Sequence, residues 1–322
     1  KIISSDVLGN LIIFSNENNT ITKFNFYKKK YKKNNKYLNI ITQNNIVYTA
    51  DNLGYIYAYN LLKKKILWAK FFKIPFRSNL KLVDNKLAAS DQNNNLYFFD
   101  KFNGDLLKLI PTEEILIKNQ FKNNISFKNN SILYLNTYGS LYSIDRKSLK
   151  INWFINLNKS TDINPSNLFF GSEILSYDNK IIISSKENTY VIDELTGSTL
   201  YKNNIISQIK PIINSNYLFT VTKNNLLIAM DINSGKVIYS LNINNKIKDQ
   251  RNLKKFQLKF KSIFIIKNKI FIFLKNSHYL KFDIKGDLIE IKKLPNIIKS
   301  EPIFVNNFLY YVNNKNKISI VN

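Results

Sequence analysis

The feature that most constrains this chain is a short motif that recurs along all 322 residues. Each copy is an alternating, largely apolar run that ends in Asp or Asn, such as NNLYFFD ending at Asp100. The final residues of the eight copies, called the anchors below, are Asn25, Asn60, Asp100, Asp145, Asp193, Asp231, Asp283 and Asn322. The intervals between consecutive anchors are 35, 40, 45, 48, 38, 52 and 39 residues. Such a period predicts a fold made of about eight repeated units.

The residues around each anchor indicate β-strands joined by tight turns. The residue just before the anchor is apolar in all eight copies, and Gly or Asn stands six residues before it in six of them. Both residue types tolerate the positive φ of hairpin turns. Gly104, Gly197 and Gly235 stand four residues after their anchors, where a second turn is expected. Each repeat therefore predicts a β-meander, in which the anchor side chain bonds to turn amides about two residues on.

Large aromatic residues recur eight positions after the anchors. Trp68 and Trp153 occupy this place in two repeats, and Tyr201 and Tyr239 occupy it in two others. We expect these rings to be largely buried between neighbouring repeats. Replacing either tryptophan by Ala should then cost about 3–5 kcal/mol of stability.

The repeat period lies near the roughly 40–45 residues of a four-stranded propeller blade, and radial repetition leaves only short, protected sheet edges. The predicted fold class is therefore all-β, an eight-bladed β-propeller of four-stranded antiparallel blades, with residues 1–322 as a single domain. The last repeat stops at Asn322 without a fourth strand. We expect residues preceding Lys1 to supply that strand, and the alternative is that residues 1–5 fill the gap.

Some repeats carry parts of a known motif, Ala-x-Asp-x-x-x-Gly-x-x-x-Trp. The clearest copies are Ala58-Tyr59-Asn60 with Trp68, and Ala229-Met230-Asp231 with Gly235 and Tyr239. In these residues the chain resembles PQQ-type propeller repeats, and it is similar to the lipid-anchored outer-membrane assembly factors of the BamB family, which share them. The resemblance implies a non-catalytic periplasmic scaffold that assists outer-membrane β-barrel assembly through protein contacts. It also implies a barrel-assembly machinery protein as partner, a monomer within that complex, and an N-terminal lipid anchor upstream of residue 1.

The alternative function is a PQQ-dependent dehydrogenase-like quinoprotein, since such enzymes use the same repeat as a scaffold. In that family, calcium beside the cofactor is held by Glu, Asn and Asp residues. This chain has no cysteine and one histidine, His278, so thiolate metal sites and Cys–His catalysis are excluded. The regularly placed carboxylates are the anchors, which already have turns to stabilise, and the neighbours Glu113 and Glu114 point in different directions. We therefore predict no catalytic, cofactor-binding or metal-binding residues and no cofactor.

The chain is strongly basic, with 48 Lys and Arg residues against 22 Asp and Glu residues and a net charge of +26. Nucleic acid or an anionic lipid surface would explain this excess. However, arginine, the better phosphate ligand, is nearly absent, which favours a lysine-rich solvated surface. The basic and aromatic strip 27–37 could bind single-stranded nucleic acid, but we favour an exposed outer strand whose lysines prevent edge pairing. We expect no nucleic-acid partner, and at most peripheral contact with an anionic membrane surface.

Two connections between repeats are longer than a minimal blade requires, residues 156–173 and 242–261. Insertions of this kind extend from one face of a propeller, where binding sites are frequent. The first contains the apolar run 168–170, and the second is rich in lysine. We predict plain connections for both, with a contact site as the alternative.

Overall fold

The computed structural model describes the chain except residues 16–19, 28–30, 32, 115–120, 159–167, 251–257, 306–307, 316 and 322. Two compact units are present, Lys1–Ile174 and Leu175–Asn322. That residues 1–322 behave as one domain stays a prediction. The anchor Asn322 lies outside the described residues.

Four antiparallel sheets make up the first unit, and strands that follow one another in the chain are hydrogen-bonded neighbours within each sheet. Among the described residues the first sheet has three strands, and each of the other three has four. The strands are β1 (Ile2–Ser5), β2 (Asn10–Ser15) and β3 (Thr20–Asn25); β4 (Leu38–Gln43), β5 (Ile46–Asp51), β6 (Tyr55–Asn60) and β7 (Lys65–Phe71); β8 (Lys81–Val83), β9 (Lys86–Ser90), β10 (Leu96–Asp100) and β11 (Leu106–Ile110); and β12 (Asn124–Lys128), β13 (Ser131–Leu135), β14 (Ser140–Asp145) and β15 (Ile151–Asn156).

The second unit contains four further antiparallel sheets and one helix. Three of its sheets have four strands, and the last has three among the described residues. The elements are β16 (Leu175–Tyr177), β17 (Lys180–Ser184), β18 (Thr189–Asp193) and β19 (Thr199–Asn203); β20 (Ile212–Asn214), β21 (Tyr217–Val221), β22 (Leu226–Asp231) and β23 (Val237–Asn242), followed by α1 (Ile243–Gln250); β24 (Phe260–Ile266), β25 (Lys269–Leu274), β26 (His278–Asp283) and β27 (Leu288–Lys293); and β28 (Ile303–Val305), β29 (Phe308–Val312) and β30 (Ile318–Val321).

These eight sheets confirm the predicted all-β class and the eight-bladed β-propeller of antiparallel blades. Six anchors, Asn60, Asp100, Asp145, Asp193, Asp231 and Asp283, end the third strand of a four-stranded sheet. These third strands are apolar and buried along most of their length, because cores form between consecutive sheets. Ala58 of β6 and Leu87 of β9 share one such core, and Ala229 of β22 and Ile272 of β25 share another.

The prediction that Asn25 is an anchor is wrong. Asn25 ends β3, the last strand of its sheet, whereas the six anchors named above end the strand before the last. The equivalent of Asn60 is Ser15, because the turn before β2 matches the turn before β6. Asp6 accepts hydrogen bonds from the backbone N–H groups two and four residues on, both at 3.0 Å, and Asp51 does the same, both at 2.8 Å. The run ending at Asn25 imitates a repeat because its alternation is that of any strand.

The sequence analysis gave two possible sources for the fourth strand of the last sheet, and one of them is wrong. Residues 2–5 form β1, and β1 pairs with β2 in the first sheet, with Ile3 opposite Ile13. These residues therefore do not supply a fourth strand to the last sheet. The version in which residues preceding Lys1 supply that strand stays a prediction.

The two insertions pack against the sheets where the structure describes them, and whether either is a contact site stays open to experiment. The second begins with α1, whose Ile243 and Ile247 are buried in the core that β22 and β25 share. On its exposed side Lys246 forms an ion pair of 2.9 Å with Asp287. In the first insertion Leu168 and Phe169 are buried, while Phe170 is exposed. Both segments therefore bury part of their apolar surface against the sheets.

Candidate functional site

The turns that follow the anchors are a repeated surface feature of both units. In each turn the Oδ1 atom of the anchor accepts backbone N–H groups that lie two to four residues on. In the turn of Asn60 these donors are Leu62 at 2.9 Å and Lys63 at 2.8 Å. The corresponding bonds are made by Asp100 with Phe102 and Asn103, by Asp145 with Lys147 and Ser148, by Asp193 with Leu195 and Thr196, by Asp231 with Ser234, and by Asp283 with Lys285 and Asp287.

Three anchor carboxylates, those of Asp145, Asp193 and Asp231, are held in their charged form by these turns. Backbone hydrogen bonds, first of all from Ser148, lower the pKa of Asp145. The pKa values of Asp193 and Asp231 are lowered in the same way, first of all by the N–H groups of Thr196 and Ser234. A carboxylate that is ionised and bonded to its own turn stabilises that turn and is poorly suited to carry protons.

Three of the anchor turns expose a large apolar side chain two residues after the anchor. Leu62 is 65 %, Phe102 is 62 % and Leu195 is 74 % exposed. They project from the turn because the backbone N–H at this position is bonded inward to the anchor. Lys101 places its Nζ atom 5.2 Å from the centroid of the Phe102 ring. These three exposed apolar side chains, Leu62, Phe102 and Leu195, are called the turn tips below.

In three sheets, the aromatic residue eight positions after the anchor donates a hydrogen bond to the next sheet. Trp68 is 8 % exposed, and its Nε1–H donates to the carbonyl of Lys101 at 3.0 Å. Its ring lies against Gly104, where an added Cβ would be 2.4 Å from Cε3 of the ring. Tyr239 donates to the carbonyl of Ile284 at 3.1 Å, and Tyr201 donates in the same way to that of Ile232. Trp153, for which burial is also predicted, is half-buried.

The described part of the basic and aromatic strip 27–37 is no regular strand, and two of its residues are buried where the sequence favours a solvated strand. Its described residues follow β3 as turns and irregular backbone, and residues 28–30 and 32 lie outside the described residues. Tyr27 and Lys36 are buried, and Lys36 donates to the carbonyl of Tyr31 at 2.5 Å. The hydroxyl of Tyr27 donates to Asp51, whose pKa is raised because burial disfavours its charge. Tyr27 and Lys36 therefore pack inward, whereas Lys33 and Tyr37 are exposed.

The other acidic and histidine candidates also have local partners. Glu113 accepts hydrogen bonds from Ser140, Tyr142 and Asn136 at 2.7, 2.7 and 2.8 Å. Glu114 accepts one from Asn93 at 3.3 Å. His278 begins β26. Within the described ranges, no three acidic or histidine side chains come together as a metal site would require. In the same part of the chain, no helix is long and apolar enough to span a membrane.

The family of this chain is identified by a match to a family profile. The profile described as outer membrane protein assembly factor BamB matches residues 113–322. The chain belongs to the BamB family. The resemblance seen in the repeats is thereby confirmed. No curated protein sequence matches this BamB-family chain.

Solved structures agree with the fold of this BamB-family member. BamB from Moraxella catarrhalis has a TM-score of 0.78 at 11% sequence identity, over 99% of this chain and 92% of the other. The computationally designed protein Ika8 has a TM-score of 0.72 at 13% identity, again over 99% and 92%. The dihydro-heme d1 dehydrogenase NirN, solved in complex with DHE, has a TM-score of 0.70 at 12% identity, over 99% of this chain and 69% of its own. At these identities the likeness concerns the fold alone.

Sequence reasoning missed two sets of residues. The turn tips stand two residues after an anchor. A Leu or Phe at that position of a polar turn could have been recognised from the sequence as an exposed apolar residue. A second series of turn residues, including Asp51, Asp91 and Asn136, stands nine residues before an anchor. Asp91 and Asn136 each accept two backbone N–H groups from their own turn, as Asp51 does. Their regular spacing was visible in the sequence.

Proposed function

We propose that this chain is a non-catalytic periplasmic scaffold that assists the assembly of outer-membrane β-barrel proteins through protein contacts. The observation that carries the proposal is the exposure of Leu62, Phe102 and Leu195 at the turn tips. Membership of the BamB family supports a protein of the barrel-assembly machinery as the partner. Exposed aromatic and aliphatic side chains at rigid turns are suited to anchor such a contact.

The proposed absence of catalysis rests on how the acidic groups are used. The anchor carboxylates accept hydrogen bonds from their own turns, and Glu113 accepts three from neighbouring side chains. A calcium ion beside a quinone cofactor would need several carboxylate and amide oxygens at one place. The described side chains offer no such group of acidic residues, so we derive no step through that cofactor.

The surroundings of the turn tips indicate the chemistry of the partner. Three consecutive exposed lysines, Lys63, Lys64 and Lys65, follow Leu62, and Lys101 lies beside Phe102. A complementary surface would offer apolar pockets with an acidic rim. The same lysines would allow peripheral contact with an anionic membrane surface. A lipid anchor upstream of residue 1 and a monomer bound within the complex complete the proposal.

The test is a pull-down from detergent-solubilised native outer membranes with the tagged chain as bait. We expect the barrel-assembly machinery to be captured and identified by mass spectrometry. The variant Phe102→Ser should lower its recovery about tenfold, since loss of one interface anchor costs about 1.4 kcal/mol or more. The matched control is Phe154→Ser, because Phe154 is 60 % exposed but lies on β15 and not on an anchor turn. Equal recovery with both variants would contradict the assignment of the turn tips as the contact.

The quinoprotein alternative is tested on the same purified chain. NirN is named as a dehydrogenase, but a similarity of fold at 12% identity does not transfer an activity. We expect titration with PQQ and calcium to produce no change in the absorbance of the cofactor. Such a change, together with dye-linked oxidation of an alcohol or sugar, would favour the enzyme over the scaffold.

A further inference from the structure

Lysine side chains gather at one end of the sheet formed by β24 to β27, the seventh along the chain. This end lies opposite the anchor turn of the same sheet. Lys259 and Lys261 stand where β24 begins, and Lys275 directly follows β25. β27 ends here at Lys292 and Lys293. The backbone N–H of Lys275 donates to the carbonyl of Lys259 at 2.8 Å, so these strand ends lie side by side.

The eighth sheet, formed by β28 to β30, brings three further lysines to the same end. Lys299 precedes β28, and Lys315 and Lys317 stand between β29 and β30. The Nζ atom of Lys261 donates to the carbonyl of Lys299 at 2.8 Å, so the two sheets share this end. Asn313 fixes the turn by accepting the backbone N–H groups of Lys315 and Lys317 at 2.9 and 3.1 Å. These three lysines and the five of the seventh sheet are called the basic end below.

Negative charge is scarce at the basic end. Within the described residues 258–305, 308–315 and 317–321, Glu301 is its one acidic side chain, so eight positive charges and one negative charge give +7. The other acidic residues of this range lie elsewhere. Asp283 and Asp287 belong to the anchor turn at the opposite end, and Glu290 lies 3.8 Å from the Nζ atom of Lys281. A field of one sign over a surface attracts partners of the opposite sign.

The lysines of the basic end stand close enough to affect one another. The pKa of Lys261 is lowered, first because burial disfavours its charge and further because Lys275 carries a like charge, whereas Glu301 acts in the opposite direction. Lys210, just before β20, lines one cavity together with Lys261 and Glu301. The positive region therefore continues onto the sixth sheet, and a surface with many negative charges would offset the repulsion within it.

The composition of the basic end indicates the class of its anionic partner. Its cations are all lysine, a strongly hydrated point charge on a flexible stem, whereas contacts between proteins are enriched in arginine and aromatic residues and depleted in lysine. Among the described residues of this end no Phe, Tyr or Trp is exposed, so no ring is presented for stacking on nucleic-acid bases. A fluid layer of phosphate headgroups requires neither fixed geometry nor aromatic anchors, and it attracts each nearby lysine.

We propose that the basic end is the surface through which this protein contacts a membrane of anionic phospholipids. The contact is electrostatic, with headgroup phosphates facing the ammonium groups and the polypeptide remaining outside the hydrocarbon layer. The proposal gives the peripheral membrane contact a surface of its own in the second unit, and it rests on that part of the proposed function. It involves neither the turn tips nor the protein partner.

The test is co-sedimentation of the full chain with phosphatidylcholine vesicles in which roughly a third of the lipid is phosphatidylglycerol. We expect binding to these vesicles and none to pure phosphatidylcholine. The bound protein should be released at about 1 M salt, where the Debye length falls to about 3 Å. The double variant Lys275→Gln with Lys293→Gln should weaken binding about 20-fold, since each lysine near an anionic surface contributes about fivefold.

The matched control is the double variant Lys267→Gln with Lys285→Gln. It removes the same charge from the same sheet, but at the end of the anchor turn, and all four substituted side chains are exposed. This control should bind the vesicles as the unaltered chain does. The thermal midpoints of the two double variants should be equal.

Two soluble polyanions separate lipid from the other classes of partner. Duplex DNA and polyglutamate, titrated at the same ionic strength, should both bind more weakly than the anionic vesicles. The proposal is overturned if these vesicles do not bind, if the two double variants bind them equally, or if neutral vesicles bind as well. Tighter binding of DNA or polyglutamate at the basic end would also overturn it, in favour of a nucleic acid or an acidic protein. Capture of the barrel-assembly machinery should be unchanged in the Lys275 and Lys293 variant, so failure of this inference is distinct from failure of the scaffold proposal.

Discussion

Trp68→Ala is the most informative single change, because Trp68 on β7 joins the second sheet to the third. Trp68 is 8 % exposed, packs in the core that also contains Tyr48 and Leu87, and donates to the carbonyl of Lys101. Truncation removes a large buried ring and leaves a cavity, for which the usual cost is about 3–5 kcal/mol. Trp68→Phe retains much of the packing but removes the N–H donor, so we expect a smaller loss of about 1–3 kcal/mol.

A double-mutant cycle with Gly104 tests the same contact from the other side. Gly104 has a φ of +76°, and an added Cβ would lie 2.4 Å from Cε3 of Trp68. Gly104→Ala therefore combines backbone strain of about 1–2 kcal/mol with a clash against the indole ring. When Trp68 is already Ala the clash disappears and the strain remains. The two losses should therefore be less than additive, by about 0.5–3 kcal/mol.

The assay is urea unfolding followed by far-ultraviolet circular dichroism, which does not depend on the substituted tryptophan. Trp153→Ala serves as the matched control, because Trp153 stands at the same position of its repeat but is half-buried. We expect a smaller loss for it than for Trp68→Ala. The reasoning would be refuted if Trp68→Ala cost less than about 1 kcal/mol, or if the losses at positions 68 and 104 simply added.

Two further predictions concern the anchors and the domain. The pKa of Asp145 is lowered from its ordinary value of 3.8, so its contribution to stability is present above pH 3.8 and is lost as the pH falls through the lowered value. The difference in unfolding free energy between the unaltered chain and Asp145→Asn should therefore shrink between about pH 7 and about pH 3, and a constant difference would contradict this. We also expect residues 1–322 to unfold as one domain in a single calorimetric transition, whereas two separate transitions would assign independent stability to Lys1–Ile174 and Leu175–Asn322.

Local chemistry explains why much of the fold could be predicted from the sequence. An anchor such as Asp145 bonds to N–H groups two and three residues on, so the turn is encoded in a few contiguous residues. The recurrence of anchors at the ends of alternating apolar runs was enough to predict eight antiparallel blades. The family resemblance followed from the same contiguous motif.

Only the tertiary structure decided which residues meet across the repeats. The match of Ser15 with the anchors, in place of Asn25, depends on which strand pairs with which, and alternation alone does not specify register. Trp68 and Trp153 stand at equal distances from their anchors, yet Trp68 is buried and Trp153 is half-buried. Residues 176 and 262 both line one cavity of about 340 Å³ in the second unit, although 86 residues separate them in the chain. Contacts of this range depend on how successive sheets stack, which no local pattern encodes.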